Sequence, residues 1–323
     1  MALPVPYVVR HDRGVLLRQL EYLVALARER HFARAADACH VSQPSLSAGI
    51  RKLEQELDTA IVRRGHRFEG LTPEGERVLL WAHRILAECD GLRHDLSTMR
   101  HSLSGVLRVG AIPTALTAAT LLTTPFCERH PHARVSLESL SSREITRRLG
   151  EFELDIALTY VDDEELGAVR TFPLYEEHYL LLTPRDGEFA TRDVVRWDEV
   201  AGLPLCLLGR QMRNRRVLDG LFATAGATVV PAIETDTVSA LYAHVASRKW
   251  SSVISHAWLH MFGVPPGMRV VPLQEPAHPP EIGLVLADRD PEPILARALL
   301  DVTAGADVRG TLERVLARFL GPA

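Results

Sequence analysis

Cysteine is scarce in this sequence: Cys39, Cys89, Cys127 and Cys206 are the only four, and no two form a CxxC pair. That excludes a zinc ribbon, a thioredoxin-like centre and a secreted disulfide framework, so reduced thiols in a cytoplasmic protein are expected. No apolar run approaches the roughly 20 residues of a membrane span. Residues 1–14, MALPVPYVVRHDRG, lack the apolar core of a signal peptide and read as a disordered extension. GxSxG, HExxH, P-loop and GxGxxG patterns are all missing, which removes the commonest hydrolase, zinc-protease and nucleotide signatures. His130-Pro-His132 is an isolated pair and reads as a solvated loop. Neither an enzyme, a cofactor nor a metal is expected. The formal charge of −4 and pI near 6.4 exclude an indiscriminate polyanion binder but leave room for a local basic patch.

The chain does contain a helix-turn-helix pattern within its 323 residues. Phe32, Ala35, Ala36 and Cys39 recur at i, i+3, i+4 and i+7, one face of a helix whose small residues let a neighbour approach. His40-Val41 makes the turn. Ser42 is a helix N-cap and Pro44 is tolerated in the first helical turn. Leu46, Ile50, Leu53 and Leu57 give the second helix its buried stripe. The opposite face holds Pro44, Ala48, Arg51, Lys52 and Gln55, with Ser47 beside it, a polar and basic surface suited to a DNA major groove. An amphipathic helix precedes it (Leu16, Leu20, Leu23, Val24, Ala27). A basic hairpin, Ile61 to Arg67, follows with Arg64-Gly65 at its tip, and Thr72-Pro73 starts the next helix. Candidate DNA-contacting residues are Ser42, Gln43, Pro44, Ser45, Ser47, Arg51, Lys52, Arg63, Arg64, His66 and Arg67.

The helix from Pro73 to about Arg100 carries Val78, Ala82, Ile85, Cys89, Leu92, Leu96 and Met99 at alternating spacings of four and three. That is an a/d seam, which predicts pairing with a partner helix; packing against its own domain is the alternative, and a seam that outlasts the preceding helix-turn-helix unit favours the partner. A polar hinge, His101 to Gly105, comes next. Strand and helix patterns then alternate in βαβ fashion, implying parallel sheet with helices on its faces.

Residues 16–86 resemble the winged helix-turn-helix of LysR-type transcriptional regulators. The matching pieces are Ala35-Ala36, Val41-Ser-Gln-Pro-Ser-Leu-Ser47, Leu53-Glu54, Arg64, and Leu71-Thr72 with Gly75. Asp58 stands where the family usually has Gly, and a left-handed helix stop is expected to survive because Asp tolerates that conformation. Ile61-Val62 replaces the family's Leu-Phe. The resemblance implies an all-α winged helix-turn-helix N-terminal domain (15–72), a linker and dimerisation helix (73–100), and an α/β, two-lobed effector domain of periplasmic-binding-protein-like fold (101–303). It places 101–164 with 268–303 in lobe I, and 165–267 in lobe II. Residues 304–323 form a C-terminal helix. The implied protein is a bacterial transcription factor, a homodimer or dimer of dimers, whose partners are double-stranded promoter DNA, RNA polymerase and a small-molecule effector.

Ligands in open α/β sheets sit beyond strand carboxyl ends, at helix N-termini. Such ends carry Pro113, Thr114, Ser141, Ser142, Asp236 and Thr237, whose hydroxyls read one by one as helix caps and together as the wall of a cleft, with Tyr160, Leu208, Gly209 and His256 at further strand ends. Family effectors lie between the lobes at these positions, and many are anionic. A protonated His256, which stands where the family usually has Pro, or Arg248 or Lys249 would favour an anion; Asp236 would oppose it. Ser247 to Ser251 replaces the family's Gly-rich turn. Two rivals remain. A winged-helix regulator with redox or oxyanion sensing keeps the N-terminus, although a molybdate-type sensor would be all-β. A solute-binding protein or enzyme would make that N-terminus incidental.

Overall fold

The computed structural model describes residues 17–64, 68–100, 103–162, 166–276, 278–289 and 291–320, with only the backbone of 64 and 94–100. The expected extension 1–14, Leu16, His66 and Arg67 lie outside the described residues. The chain divides into two compact units, Met1–Leu96 and Ser97–Ala323.

The first unit packs α1 (Leu17–Glu29), α2 (Phe32–Ala38) and α3 (Gln43–Glu56) around Leu20, Leu23, Leu26, Ala35, Ala36, Leu46, Ile50 and Leu53. Gly49 marks a close approach of α3 to α1: a Cβ there would lie 2.6 Å from the Tyr22 ring of α1. The turn between α2 and α3 uses His40 at φ +53°, and α3 stops at Asp58 with φ +49°. Aspartate thus supplies the left-handed stop that glycine would otherwise provide. Leu57 departs from the expected buried stripe. It is the C-cap, where the chain leaves the helical phase, and is 39% exposed.

Strands β1 (Val62–Arg64) and β2 (Phe68–Leu71) form the wing, antiparallel to each other. Glu54, only 8% exposed, anchors it: one carboxylate oxygen accepts the N–H groups of Ile61 (3.0 Å) and Val62 (3.1 Å). The wing returns at Thr72, whose hydroxyl donates to the Ala60 carbonyl at 2.6 Å and accepts the Gly75 N–H at 2.9 Å. A Cβ on Gly75 would lie 2.2 Å from the Ile61 carbonyl oxygen, so only glycine lets the next helix start this close to the wing.

That helix is α4 (Pro73–Arg100). Its first turns run across its own unit, so Ala82 is buried in the core and Val78 packs against it. This corrects the seam expected from sequence at its N-terminal end. Ile85 (38%) and Leu92 (60%) are exposed beside Trp81, and Cys89 is half-buried. The side chains of Leu96 and Met99 lie outside the description.

The second unit has two lobes. Lobe I contains β3 (Gly105–Ala111), α5 (Leu116–Arg129), β4 (Ala133–Ser139), α6 (Ser142–Gly150), β5 (Ile156–Tyr160), β6 (Val169–Glu176), β12 (Glu281–Ala287) and α11 (Ile294–Thr303). Its sheet runs β4-β3-β5-β12-β6, with β4, β3 and β5 parallel and β12 antiparallel to both neighbours. Lobe II is built on β7 (Tyr179–Pro184), flanked by antiparallel β10 (Ser252–Ser255) and β11 (Met268–Pro272). A parallel pair, β8 (Cys206–Leu208) and β9 (Ile233–Thr235), and helices α7 (Trp197–Val200), α8 (Arg213–Thr224), α9 (Val238–Ala246) and α10 (Leu259–Phe262) complete it.

These pairings correct the expected lobe edges. Val169–Glu176 belongs to lobe I because it pairs with β12, and Met268–Pro272 belongs to lobe II because it pairs with β7. The chain therefore crosses between lobes at Glu177-His178 and again at 273–280. The two crossovers touch: the Glu177 N–H donates to the Pro280 carbonyl (2.8 Å), and His178 Nδ1 lies 2.8 Å from Glu275. Helix α12 (Val308–Leu320) lies over both lobes, with Val308 and Leu312 in the core of lobe I and Val315 and Leu316 against that of lobe II.

Candidate functional site

Two places carry the predicted site residues, one in each unit. In the first unit, Ser42 caps α3: its hydroxyl accepts the Ser45 N–H at 3.3 Å and lies 2.8 Å from the Ser45 hydroxyl. Ser42, Gln43, Pro44, Ser45, Ala48, Arg51, Lys52 and Gln55 are exposed, whereas Ser47 is partly covered. Lys52, whose side chain is 56% exposed, reaches the largely covered Glu56 at 3.6 Å in an i,i+4 pair. Arg63 is exposed on β1. The side chain of Arg64, with His66 and Arg67, falls outside the described residues. A capped helix end of small polar groups, followed by exposed cations, can approach base edges and phosphates without a bulky apolar obstacle.

In the second unit, strand and helix ends converge on a nearly closed cavity. Lobe I contributes Ile112, Pro113 and Thr114 after β3, Ser141 and Ser142 at the start of α6, and Tyr160 at the end of β5. Lobe II contributes Leu208, and Met212, Arg213 and Asn214 at the start of α8. The space left for a water-sized occupant is about 10 Å³, roughly that of one water. Ser141 caps α6 by accepting the Glu144 N–H at 3.3 Å, and the Thr159 hydroxyl donates to Ser142 at 3.4 Å. Thr114 is 1% exposed, and its hydroxyl has no partner among the described residues.

Tyr160 joins the lobes. Arg213 lies over its ring, 5.4 Å from the centroid, and Asn214 Nδ2 approaches its hydroxyl at 3.5 Å. The hydroxyl donates to Glu177 at 2.9 Å, and Tyr179 of β7 donates to the same carboxylate oxygen at the same distance. Burial pushes the Glu177 carboxyl above its ordinary value, and the hydrogen bonds from Tyr179, Tyr160 and Ser255 pull it back. A buried carboxyl at the first crossover is thus held from both lobes.

Other expected site residues lie elsewhere. Gly209 turns towards β9, its N–H on the Thr235 carbonyl at 2.9 Å. Asp236 and Thr237 are exposed, and Thr237 caps α9. His256 is buried beside the first crossover, its Nδ1 accepting the His178 N–H at 3.1 Å and its ring edge-on to Tyr175. Burial, then the neighbouring His178, drives its pKa down to about 3. It therefore stays neutral near pH 7 and supplies no charge to an anion, correcting the sequence expectation. Arg213 and Asn214 were missed because α8 begins without a capping side chain, at Met212; the run of arginines from 210 to 216 was the available signal.

The hinge histidines make stability pH-dependent in opposite senses. Glu275 raises the pKa of His178, so its stabilising contribution is complete below the ordinary value of 6.5 and is lost as pH rises through the raised one. His256 titrates near 3 when folded and near 6.5 when unfolded, so the unfolded chain gains protons first and stability falls as pH drops from 6.5 towards 3. His256→Gln keeps an acceptor for the His178 N–H and removes the titration. Thermal melts of this variant should lose less stability between pH 6.5 and 4 than those of the parent; equal acid slopes would refute the assignment.

The two cysteines of the second unit differ in setting. Cys206 is buried in β8, and burial pushes its thiol up to about 11. Cys127 is exposed at the end of α5, in the other lobe. Among the described residues no group of His, Cys, Asp or Glu could hold a metal ion, and no helix is long and apolar enough to cross a membrane.

Comparison with known proteins bears on both units. Residues 17–76 match the family described as bacterial regulatory helix-turn-helix protein, lysR family, and residues 100–306 match the LysR substrate binding domain. The DNA-binding transcriptional dual regulator OxyR of Escherichia coli K12 is 35% identical over 215 residues, covering 65% of this chain and 69% of that protein. The hydrogen peroxide-inducible genes activator of Pectobacterium carotovorum is 35% identical over 214 residues, covering 65% and 70%. Among solved structures, a full-length OxyR cysteine-to-aspartate variant from Pseudomonas aeruginosa superposes with TM-score 0.74 at 26% identity, over 93% of this chain and 98% of that one. CbnR in complex with its target DNA shares the fold, with TM-score 0.65 at 20% identity over 90% and 99%.

Proposed function

Because this chain belongs to the LysR family of transcriptional regulators, we propose that its α3 face reads promoter DNA and that its cleft takes a small anionic effector. The observation that supports the first part is the exposed, capped, polar N-terminal end of α3, backed by Arg51 and Lys52 on the same face. Gln43, Ser45, Ser47 and Arg51 face base edges; Lys52, Arg63, Arg64 and Arg67 meet phosphates or the minor groove. A homodimer through the exposed part of α4, and a dimer of dimers, present paired α3 helices to the two halves of an operator. RNA polymerase is the further partner this role requires.

Quantitative operator binding tests the reading. Arg51→Ala should cost about 1–3 kcal/mol and relax sequence preference, because a base contact is lost. Arg67→Ala should weaken all sequences alike and flatten the salt dependence, because a phosphate contact releases counterions. Parental binding by both variants would remove the assignment.

Relatives bearing the name of a peroxide-inducible activator raise redox sensing as a second reading. The setting of Cys206 opposes it for that thiol. A thiol held near 11 carries almost no thiolate at pH 7, and the thiolate is the form that oxidants attack. An occupant of the cleft is the better-supported signal.

A further inference from the structure

We propose that the effector is a small carboxylate anchored by Arg213, and that Asp162 holds this anchor until the effector arrives. The inference rests on the reading of the cleft as the effector site. Among the described residues no carboxylate lines the cavity, and Arg213 is the one cation that does. The cavity also presents the buried Thr114 hydroxyl, which has no partner among the described residues and is free to donate to an anion.

Arg213 begins α8, a helix of 12 residues whose first turn contains no acid and whose N-cap, Met212, makes no side-chain bond. Cations at the positive end of a helix dipole are unfavourable, and a bound anion reverses the sign of that interaction. Two neighbouring arginines are engaged elsewhere. Arg215 is fully buried, bonded to Asp219 (2.8 Å) and Glu234 (2.7 Å), and Arg216 donates to the Gln211 carbonyl at 3.2 Å.

Arg213 lies 3.6 Å from Asp162, whose side chain is 56% exposed. An ion pair of that length and exposure is weak, so a carboxylate in a drier place can displace it. The pair also spans the lobes: Asp162 follows β5 of lobe I, and Arg213 opens α8 of lobe II. Exchange replaces a direct bond between lobes with one mediated by the ligand, running from Arg213 to Thr114 and Ser142 of lobe I. Because the closed cavity has room for about one water, the lobes must part to admit a carboxylate, and the ligand thereby selects a different lobe arrangement. Tyr160, under the Arg213 guanidinium, carries the change to Glu177 at the crossover.

Calorimetric titration of the full-length protein with acetate, against its neutral isostere acetamide at equal ionic strength, tests this. Acetate should bind saturably and acetamide should not. Asp162→Asn, an exposed change that leaves the core intact, should tighten acetate binding about two- to fivefold by removing a competitor. Arg213→Gln should weaken it at least about tenfold. Equal binding of acetamide, unchanged affinity in Asp162→Asn, or no acetate uptake by the parent and Asp162→Asn would each overturn the proposal. Operator binding by the same preparations separates the two readings. If it is intact while the acetate results fail, only the Arg213 anchor falls; if folded protein binds no operator, the regulator reading falls.

Discussion

Glu54→Ala is expected to lower the stability of the winged-helix unit by about 2–4 kcal/mol and to abolish operator binding. The carboxylate accepts two backbone N–H groups, from Ile61 and Val62, where the chain turns into the wing. Truncation leaves both donors without their acceptor in a covered place, and an unsatisfied buried donor costs about 1–3 kcal/mol. It also releases the wing from α3, so the two DNA-facing elements lose their fixed spacing. Glu54→Gln keeps a carbonyl oxygen that can accept both bonds and should cost less than about 1.5 kcal/mol. Denaturant melts followed by near-ultraviolet circular dichroism, paired with operator titrations, read the two effects. An Ala variant as stable as the Gln variant would show that the carboxylate does not anchor the wing.

The second large effect is expected on α4. Ile85→Asp and Leu92→Asp should each halve the molecular mass seen by light scattering at micromolar concentration and abolish cooperative binding to the two halves of an operator. Ile85 and Leu92 are exposed on the isolated chain, whereas Val78, Ala82 and Leu86 of the same helix pack in or against the unit's own core. An aspartate buried there without a partner carries a desolvation penalty of several kcal/mol. Leu57→Asp is the control: Leu57 is as exposed as Ile85 but lies at the end of α3, and its substitution should leave the mass unchanged. If both α4 variants keep the parental mass, the interface lies elsewhere.

The winged-helix unit was legible in the sequence because its determinants are local. Ser42 announces a helix start, Asp58 a stop and the alanine pair a close approach, each within one or two turns. Strand order was not legible. Val169–Glu176 and Met268–Pro272 are both mixed runs that could join either sheet, and the choice depends on partners about a hundred residues away. The cleft was legible by half. Thr114, Ser141 and Ser142 advertise themselves as hydroxyls after strands, whereas Arg213 and Asn214 follow an uncapped helix start. Glu177 gave no sign at all, since an acid between Glu176 and His178 looks solvated until folding buries it. His256 erred the other way: at a strand end it looked available, yet burial makes it a neutral wedge beside the crossover.

Helix α12 has a mechanical consequence. Two bodies joined by two adjacent chain segments alone would swing like a door. Here helix α12 adds a further tie, clamped to both bodies through the apolar side chains of Val308 and Leu312 on one side and Val315 and Leu316 on the other. Such a triangulated joint resists wide swinging and yields by sliding, in which packed side chains shift by small increments between discrete seatings. The sensor then works less as a gaping jaw than as a stepped gear, and the size of each step is set by the last amphipathic helix of the chain.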